Sequence, residues 1–262
     1  MSERILITGA AGGIGTAMRP RMAREGRTLR LLDIAELGEA GPGEELLTGS
    51  VTDLDGLSAA CEGVDAVIHL GGHSGEQSWD AILQTNIHGS YAVYEAARRA
   101  GVPRVVFASS NHAVGFHPNE AAPDYLFPRP DTYYGVSKVA GEALGSLYHD
   151  RYGLQVICLR IGSCFDRPYG ERMLASWLSY DDCARLLEAS LAAPDPGFRV
   201  VWGISANTRA VWSLDEACAL GYDPQDDAEA YADQVKPEAD PAMNRYLGGK
   251  FCSPELDAEV PA

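Results

Sequence analysis

Tyr134 and Lys138 stand four residues apart in Tyr134-Gly135-Val136-Ser137-Lys138, one segment downstream of a serine pair, Ser109-Ser110. On a helix, residues four apart point to the same side. An ammonium beside a phenol favours the phenolate, because an opposite charge lowers an acid's pKa. A free tyrosine titrates near pH 10, and bringing it to about 7 takes roughly 3 units, or about 4 kcal/mol. A serine hydroxyl would hold a substrate oxygen while Tyr134 takes its proton. Tyr-x-x-x-Lys is a common accident on its own. The pair gains meaning only from the elements that position it.

The first of these is at the N-terminus. Arg4-Ile5-Leu6-Ile7-Thr8 reads as a buried strand of a parallel sheet. Thr8-Gly9-Ala10-Ala11-Gly12-Gly13-Ile14-Gly15 follows, then a helical stretch to about Arg24. Strand, glycine-rich turn and helix form the context that a dinucleotide fingerprint requires. Gly9 would make the tight turn. Gly12 would let backbone N–H groups approach a pyrophosphate at the helix N-terminus. Gly13 and Ile14, which open that helix, belong to the same predicted contact, and Gly15 would allow close helix–sheet packing.

A second strand, Thr28 to Leu32, ends in Asp33. An acid there accepts hydrogen bonds from the adenosine ribose of NAD and would repel the extra phosphate of NADP. At 4 Å and an effective dielectric near 20, each unit of charge costs roughly 4 kcal/mol. No Arg or Lys occupies the glycine turn or position 34 to offset this. NAD is the expected cofactor.

The chain keeps alternating. Leu46 to Gly49 reads as a short strand, Asp53 to Cys61 as a helix, Ala66 to Leu70 as a strand ending in Gly71-Gly72. One long helix is expected from about Trp79 to Ala100, then a strand from Arg104 to Ala108 that delivers Ser109-Ser110-Asn111-His112. The Tyr134 helix begins near Asp131 and stops at Gly153. Gln155 to Leu159 is a further strand, leading into Arg160-Ile161-Gly162-Ser163-Cys164. This rhythm argues for an α/β fold, a Rossmann-type doubly wound parallel sheet. After about Met173 the alternation weakens. A helix over Asp181 to Ala193, a strand over Phe198 to Trp202 and later short helices would form a small substrate-binding cap. Residues 1–262 are thus expected as one domain, with 1–160 mainly NAD-binding and 161–262 mainly cap and C-terminal elements. The tail from Lys236 is expected to wrap the surface. In such sheets ligands sit at the carboxyl ends of the strands. The glycine turn, Asp33, Gly71-Gly72, Ser109-Ser110 and Gly162-Ser163 all fall there.

At this point the residues match a family. Thr-Gly-x-x-Gly-x-x-Gly, the Asp after the second strand and the Ser before Tyr-x-x-x-Lys resemble the extended short-chain dehydrogenases. Ser109-Ser110-Asn111-His112 with Gly115, Arg160 to Cys164, Arg172-Met173-Leu174 and Val200 to Asn207 are similar to the uronate dehydrogenases among them. The resemblance implies NAD-dependent oxidation of a hexuronate, D-glucuronate or D-galacturonate, at C1 to an aldarolactone. It implies Tyr134 as base, Lys138 as its activator and a nicotinamide-ribose contact, and Ser110 as the residue that orients the C1 hydroxyl. Ser74, Asn111, His112 and Ser163 would bind sugar hydroxyls or the carboxylate, and Arg172 would clamp the C6 carboxylate. That last role has its own logic, since a planar guanidinium meets a carboxylate through two parallel bonds. Leu70, Gly71 and Gly72 would line the cofactor. Many relatives carry an Asp after the third strand; here Ser50 stands there, so adenine would meet Ser50 and the Val51 backbone, with Asp53 capping the next helix.

Two other readings stay open. A nucleotide-sugar epimerase or dehydratase shares the scaffold, but dehydratases usually carry Asp-Glu where this chain has Asn111-His112, and epimerases use a larger C-terminal region. A non-catalytic NAD sensor commonly loses the Tyr or the Lys; this chain keeps both. The net charge of −16 argues against nucleic acid as a partner. An anionic substrate then needs local positive charge, again pointing to Arg172. The six cysteines form no Cys-x-x-Cys pair or zinc spacing, so no metal is expected, and they suit a reducing cytoplasm. His69 and His73 straddle a strand end and make a poor metal pair. No signal peptide or long apolar run suggests export or a membrane span. Ser137, Gly141 and Gly145 leave one helix face nearly bare, which suggests close helix packing in a homo-oligomer.

Overall fold

The computed structural model describes residues 3–238 and 244–258. The parts of the tail at 239–243 and 259–262 lie outside the described residues. Aliphatic-rich runs form the strands, the central ones largely buried and the third only half-buried. They are β1 (Glu3–Thr8), β2 (Arg27–Asp33), β3 (Glu44–Thr48), β4 (Ala66–His69), β5 (Arg104–Ser110) and β6 (Gln155–Ile161). Two short strands follow, β7 (Ser163–Cys164) and β8 (Trp177–Leu178), and then β9 (Phe198–Gly203). Seven of these make one sheet in the order β3-β2-β1-β4-β5-β6-β9, with every neighbouring pair parallel. The order reverses between β1 and β4, and the glycine turn lies at that switch point.

The helices are α1 (Gly13–Met22), α2 (Leu54–Ala60), α3 (Trp79–Ala81), α4 (Gly89–Ala100), α5 (Tyr133–Tyr152), α6 (Met173–Ser176), α7 (Tyr180–Ala192) and α8 (Asp215–Ala219). Side chains alternate across the sheet and divide the core in two. Ile5, Ile7, Leu29, Leu31 and Leu159 face the layer that holds Met18 of α1 and Leu186 of α7. Leu6, Val67, Val105, Phe107 and Val156 face the layer that holds Leu57, Val93 and Tyr148. Gly9 turns the chain with φ +72°, and an added Cβ would lie 2.6 Å from the Gly71 nitrogen. The first and fourth strand ends therefore touch backbone to backbone. Among the described residues, no helix is long and apolar enough to cross a membrane.

The helix and strand expected over Asp181 to Ala193 and Phe198 to Trp202 join the main fold as α7 and β9 rather than a cap, β9 as the seventh strand of the sheet and α7 in the core layer of α1. Two further expectations need correction. The region from Trp79 to Ala100 is not one regular α-helix: α3 and α4 flank a π-helical stretch, Ile82–His88. The cause is Asn86. Its Oδ1 accepts from the His73 N–H at 2.8 Å, its Nδ2 donates to the His73 carbonyl at 3.0 Å, and Ser90 Oγ donates to its carbonyl at 2.6 Å. Widened turns of this kind serve such inserted contacts. Second, the bare stripe of α5 faces the protein's own sheet. A Cβ at Gly141 would lie 2.2 Å from Phe107 Cζ, and one at Gly145 2.8 Å from Val156 Cγ1. The stripe therefore gives no support for a homo-oligomer.

Behind α5, Arg160 and Glu142 form a buried ion pair at 2.8 Å, and Ser109 Oγ donates to Glu142 Oε1 at 2.6 Å. Ser109 is thereby turned away from its neighbour Ser110. Removing one partner of such a pair leaves an uncompensated buried charge. Glu142→Gln should lower the unfolding free energy by about 3–5 kcal/mol, read from urea denaturation. A loss below about 1 kcal/mol would mean the pair is better solvated than its burial indicates.

Candidate active site

The glycine turn leaves an open helix end. No side chain caps α1 at Gly12 and no acid occupies its first turn. A Cβ at Gly13 would meet nothing within 4 Å. Asp33, at the end of β2, shapes the turn: its Oδ2 accepts from the Ala11 N–H and its Oδ1 from the Ala35 N–H, both at 2.9 Å. Ile14, Gly15 and the Leu70-Gly71-Gly72 segment lie at the same switch point. Leu70 N–H reaches the Thr8 carbonyl at 3.1 Å, and Gly71 N–H reaches Thr8 Oγ1 at 3.3 Å. Buried Val51 packs beneath Gly71. The Ser50 hydroxyl bonds Thr52 Oγ1 at 2.8 Å, and Asp53 accepts from Gly56 N–H at 3.1 Å, capping α2. An uncapped helix terminus with open space above it, and a carboxylate at the second strand end, fit a dinucleotide.

His69 ends β4 inside the protein. Its Nδ1 meets Thr8 Oγ1 at 2.8 Å and its Nε2 meets Ser90 Oγ at 3.4 Å. Burial, with the Lys138 charge nearby, brings it down to about 3, so it stays neutral. It is a structural member of the core beneath the turn.

The chemistry-bearing residues meet over β5. Ser110 ends that strand, and its Oγ accepts from the His112 N–H at 3.3 Å. Tyr134 is buried in the first turn of α5. Lys138, one turn on, donates from Nζ to the Ala108 carbonyl at 2.8 Å. Nζ also lies 5.2 Å from the ring centres of both Tyr134 and Phe107. The ionisations differ from the sequence expectation. Burial pushes the Tyr134 phenol up to about 12, against a lowering hydrogen bond from Ser110. Burial also brings Lys138 down to about 8. Desolvation disfavours phenolate and ammonium alike. It outweighs the mutual attraction because the ammonium faces the ring and the Ala108 carbonyl.

Asn111, His112, Ser163 and Arg172 are linked to this group or to one another by hydrogen bonds and ring contacts. Asn111 is buried and donates to the Leu247 carbonyl at 2.8 Å. Arg172 donates from Nη2 to the same carbonyl. Its Nε is buried without a hydrogen-bond partner among the described residues, and burial lowers its pKa. Ser163 shares a 3.1 Å hydrogen bond with Ser176, whose hydroxyl donates to the Arg172 carbonyl at 3.3 Å. The His112 ring packs on Tyr134 and Phe251. Ser74 is exposed on the loop after β4. Ser50 stands apart, two residues beyond the end of β3.

Four contributors were missed by sequence reasoning: Glu76, Asn86, Asp131 and the Leu247 carbonyl. Glu76 Oε1 and Oε2 accept from the backbone N–H groups of Tyr133 and Tyr134, at 3.0 and 2.7 Å. It caps α5 from 58 residues away, where no local motif could show it. Thr132 supplies the local cap, accepting from Gly135 N–H at 3.0 Å.

The profile of the NAD dependent epimerase/dehydratase family matches residues 5–197. The chain belongs to this family. It is an NAD-dependent oxidoreductase. A uronate dehydrogenase of Pseudomonas putida is 45% identical over 95% of this chain and 95% of its own. An NAD-dependent glucose-6-phosphate dehydrogenase of Haloferax volcanii is 39% identical over 90% of this chain and 98% of its own. The crystal structure of a uronate dehydrogenase variant from Agrobacterium tumefaciens, complexed with NAD, superposes with a TM-score of 0.92. It is 43% identical and covers 96% of this chain and 97% of that one. The similarity therefore extends beyond the cofactor half into the residues after β6.

Glu76→Ala should remove both distant cap bonds and destabilise the protein by about 1 kcal/mol in chemical denaturation. Glu76→Gln should lose less, because its amide oxygen still accepts. Equal stability of Glu76→Ala and the parent would show that Thr132 alone suffices.

Proposed function

We propose that the protein oxidises a hexuronate at C1 with NAD, giving the aldarolactone. The observation that carries this reading is Arg172. Its buried Nε has no hydrogen-bond partner among the described residues, and its Nη2 shares the Leu247 carbonyl with Asn111, the residue after Ser110. In a chain of net charge −16, such a group is suited to an anion brought by the substrate. A guanidinium fork fits a carboxylate through parallel charge-assisted bonds. The names of the P. putida and A. tumefaciens relatives agree with this chemistry.

In this reading Ser110 Oγ holds the C1 hydroxyl and Tyr134 Oη takes its proton. Lys138 keeps its proton near neutral pH and sets positive charge against the Tyr134 ring, the direction that favours phenolate. Bound NAD supplies the hydride acceptor. Gly9, Gly12, Gly13, Ile14 and Gly15 would hold its pyrophosphate, Asp33 its ribose, and Ser50 and Val51 its adenine. Arg172 positions the C6 carboxylate, while Ser74, Asn111, His112 and Ser163 supply polar contacts for the ring. Unpaired cysteines among the described residues support a reducing compartment such as the cytoplasm.

Two measurements test the reading. Tyr134→Phe should lower turnover by about 10²–10⁴-fold while NAD⁺ affinity, read by fluorescence titration, is retained. Retention of more than about a tenth of the rate would exclude Tyr134 as the base. For Arg172, steady-state kinetics compare glucuronate and galacturonate with glucose, galactose and glucose 6-phosphate. The wild type should prefer the acids over the neutral sugars by at least roughly 30-fold in kcat/KM, and Arg172→Ala should erase most of that preference. A preference that survived in Arg172→Ala would place the carboxylate clamp elsewhere. A preference for glucose 6-phosphate would reassign the anion.

A further inference from the structure

Outside the expected catalytic set, one buried acid is aimed at the site. Asp131 has a fully buried side chain, and its Oδ2 lies 2.7 Å from His112 Nδ1. Its Oδ1 accepts from Thr132 Oγ1 at 2.9 Å. The Cys252 thiol approaches Oδ2 at 3.9 Å. The Asp131 backbone N–H also donates to the His112 carbonyl, at 3.4 Å. Ring and acid are thus bound to each other twice, through backbone and side chain.

The fold makes room for this carboxylate. A Cβ at Gly115, or at Gly248, would lie 1.9 Å from Asp131 Oδ2. Two glycines from distant segments therefore leave the space that Oδ2 occupies. The imidazole is held by ring contacts as well, an edge contact with Tyr134 at 5.7 Å between ring centres and a tilted one with Phe251 at 4.1 Å. Held by contacts at Nδ1 and on the ring, His112 has its Nε2 without a protein hydrogen-bond partner among the described residues.

We infer that Asp131 is a positioning residue that keeps a proton on His112 Nδ1 and so presents Nε2 as a hydrogen-bond acceptor for one sugar hydroxyl. This rests on the hexuronate reading given above and assigns His112 to a hydroxyl rather than to the carboxylate. The chemistry supports the division. Arg172 can only donate, whereas the O–H groups of a polyhydroxylated ring also need acceptors, which an imidazole lone pair supplies. A carboxylate on one imidazole nitrogen fixes which tautomer the other presents.

The inference is tested on the full chain in two ways. The first is a long-range proton–nitrogen NMR spectrum of histidine-labelled wild type at mildly alkaline pH, with His112 assigned by the loss of its signals in His112→Gln. The expected result is a neutral ring protonated at Nδ1. A ring protonated at Nε2, or at both nitrogens, overturns the inference, and this arm needs no substrate.

The second is kinetic, with NAD⁺ saturating. Asp131→Asn should raise KM for the hexuronate roughly tenfold while kcat and NAD⁺ affinity stay within about twofold. Across a panel of monodeoxy hexuronates, the wild type should lose roughly tenfold in kcat/KM on one member, and Asp131→Asn should lose little further on it. An unchanged KM, an equal fall in kcat and NAD⁺ affinity, or an undiminished deoxy penalty would each overturn the inference. If the wild type oxidises no hexuronate, the functional reading fails by itself, and the NMR result still decides the tautomer.

Discussion

At Gly141, α5 lies directly on β5, so close that even a methyl group would collide with the Phe107 ring. This contact sets the height of α5 above the sheet. It brings Lys138 down to the Ala108 carbonyl and holds Tyr134 beside Ser110 at the strand end. The buried Glu142–Arg160 pair fixes the same helix to β6. Glu76 and Asn86 fix its start to the loop after β4, because Asn86 Nδ2 reaches Ser137 Oγ at 3.2 Å as well as the His73 backbone. A shift in any of these contacts would move the phenol relative to the serine.

The same closeness sets the ionisation of the site. Four polar groups are removed from water: Tyr134, Lys138, Arg172 and His69. In each the charged form is disfavoured, as burial requires. A buried phenol held high and a buried ammonium brought low form a pair poised toward neutrality. Ligand charge entering such a site acts in a low dielectric, where each interaction is stronger than at the surface. The acidic exterior and the lysine and arginine buried at the site are thus separate features. Glu3 of β1 and Glu44 and Glu45 of β3 pair with local arginines, as does Glu188 of α7.

Parts of this arrangement were legible in the sequence because they are local. The glycine turn follows a strand and opens a helix within a dozen residues, and Asp33 ends the next strand. Tyr134 and Lys138 share a face because helical geometry demands it, and Thr132 caps that helix three residues before Gly135. Long-range partners left no such trace. The π-helical stretch follows from Asn86 reaching back to His73, and nothing in Ile82 to His88 departs from an ordinary helical pattern. The bare face of α5 was legible as a stripe, but not what covers it. Whether small residues meet a neighbouring chain or the protein's own Phe107 depends on which way the helix is rolled.

The sequence by itself determined the alternation of strands and helices, the dinucleotide turn, the acid at the second strand end and the identity of the serine, tyrosine, lysine and arginine that could act. These depend on short-range sterics, periodicity and residue chemistry. Only the tertiary structure decided which serine of the Ser109-Ser110 pair faces the tyrosine, since Glu142 claims the other. It also decided that Asp131 binds His112 and that the Leu247 carbonyl lies between Asn111 and Arg172. A main-chain carbonyl carries no residue identity, and a contact between Arg172 and Leu247 spans 75 residues. The physical reason is burial: packing decides which distant polar groups are left with no partner but one another.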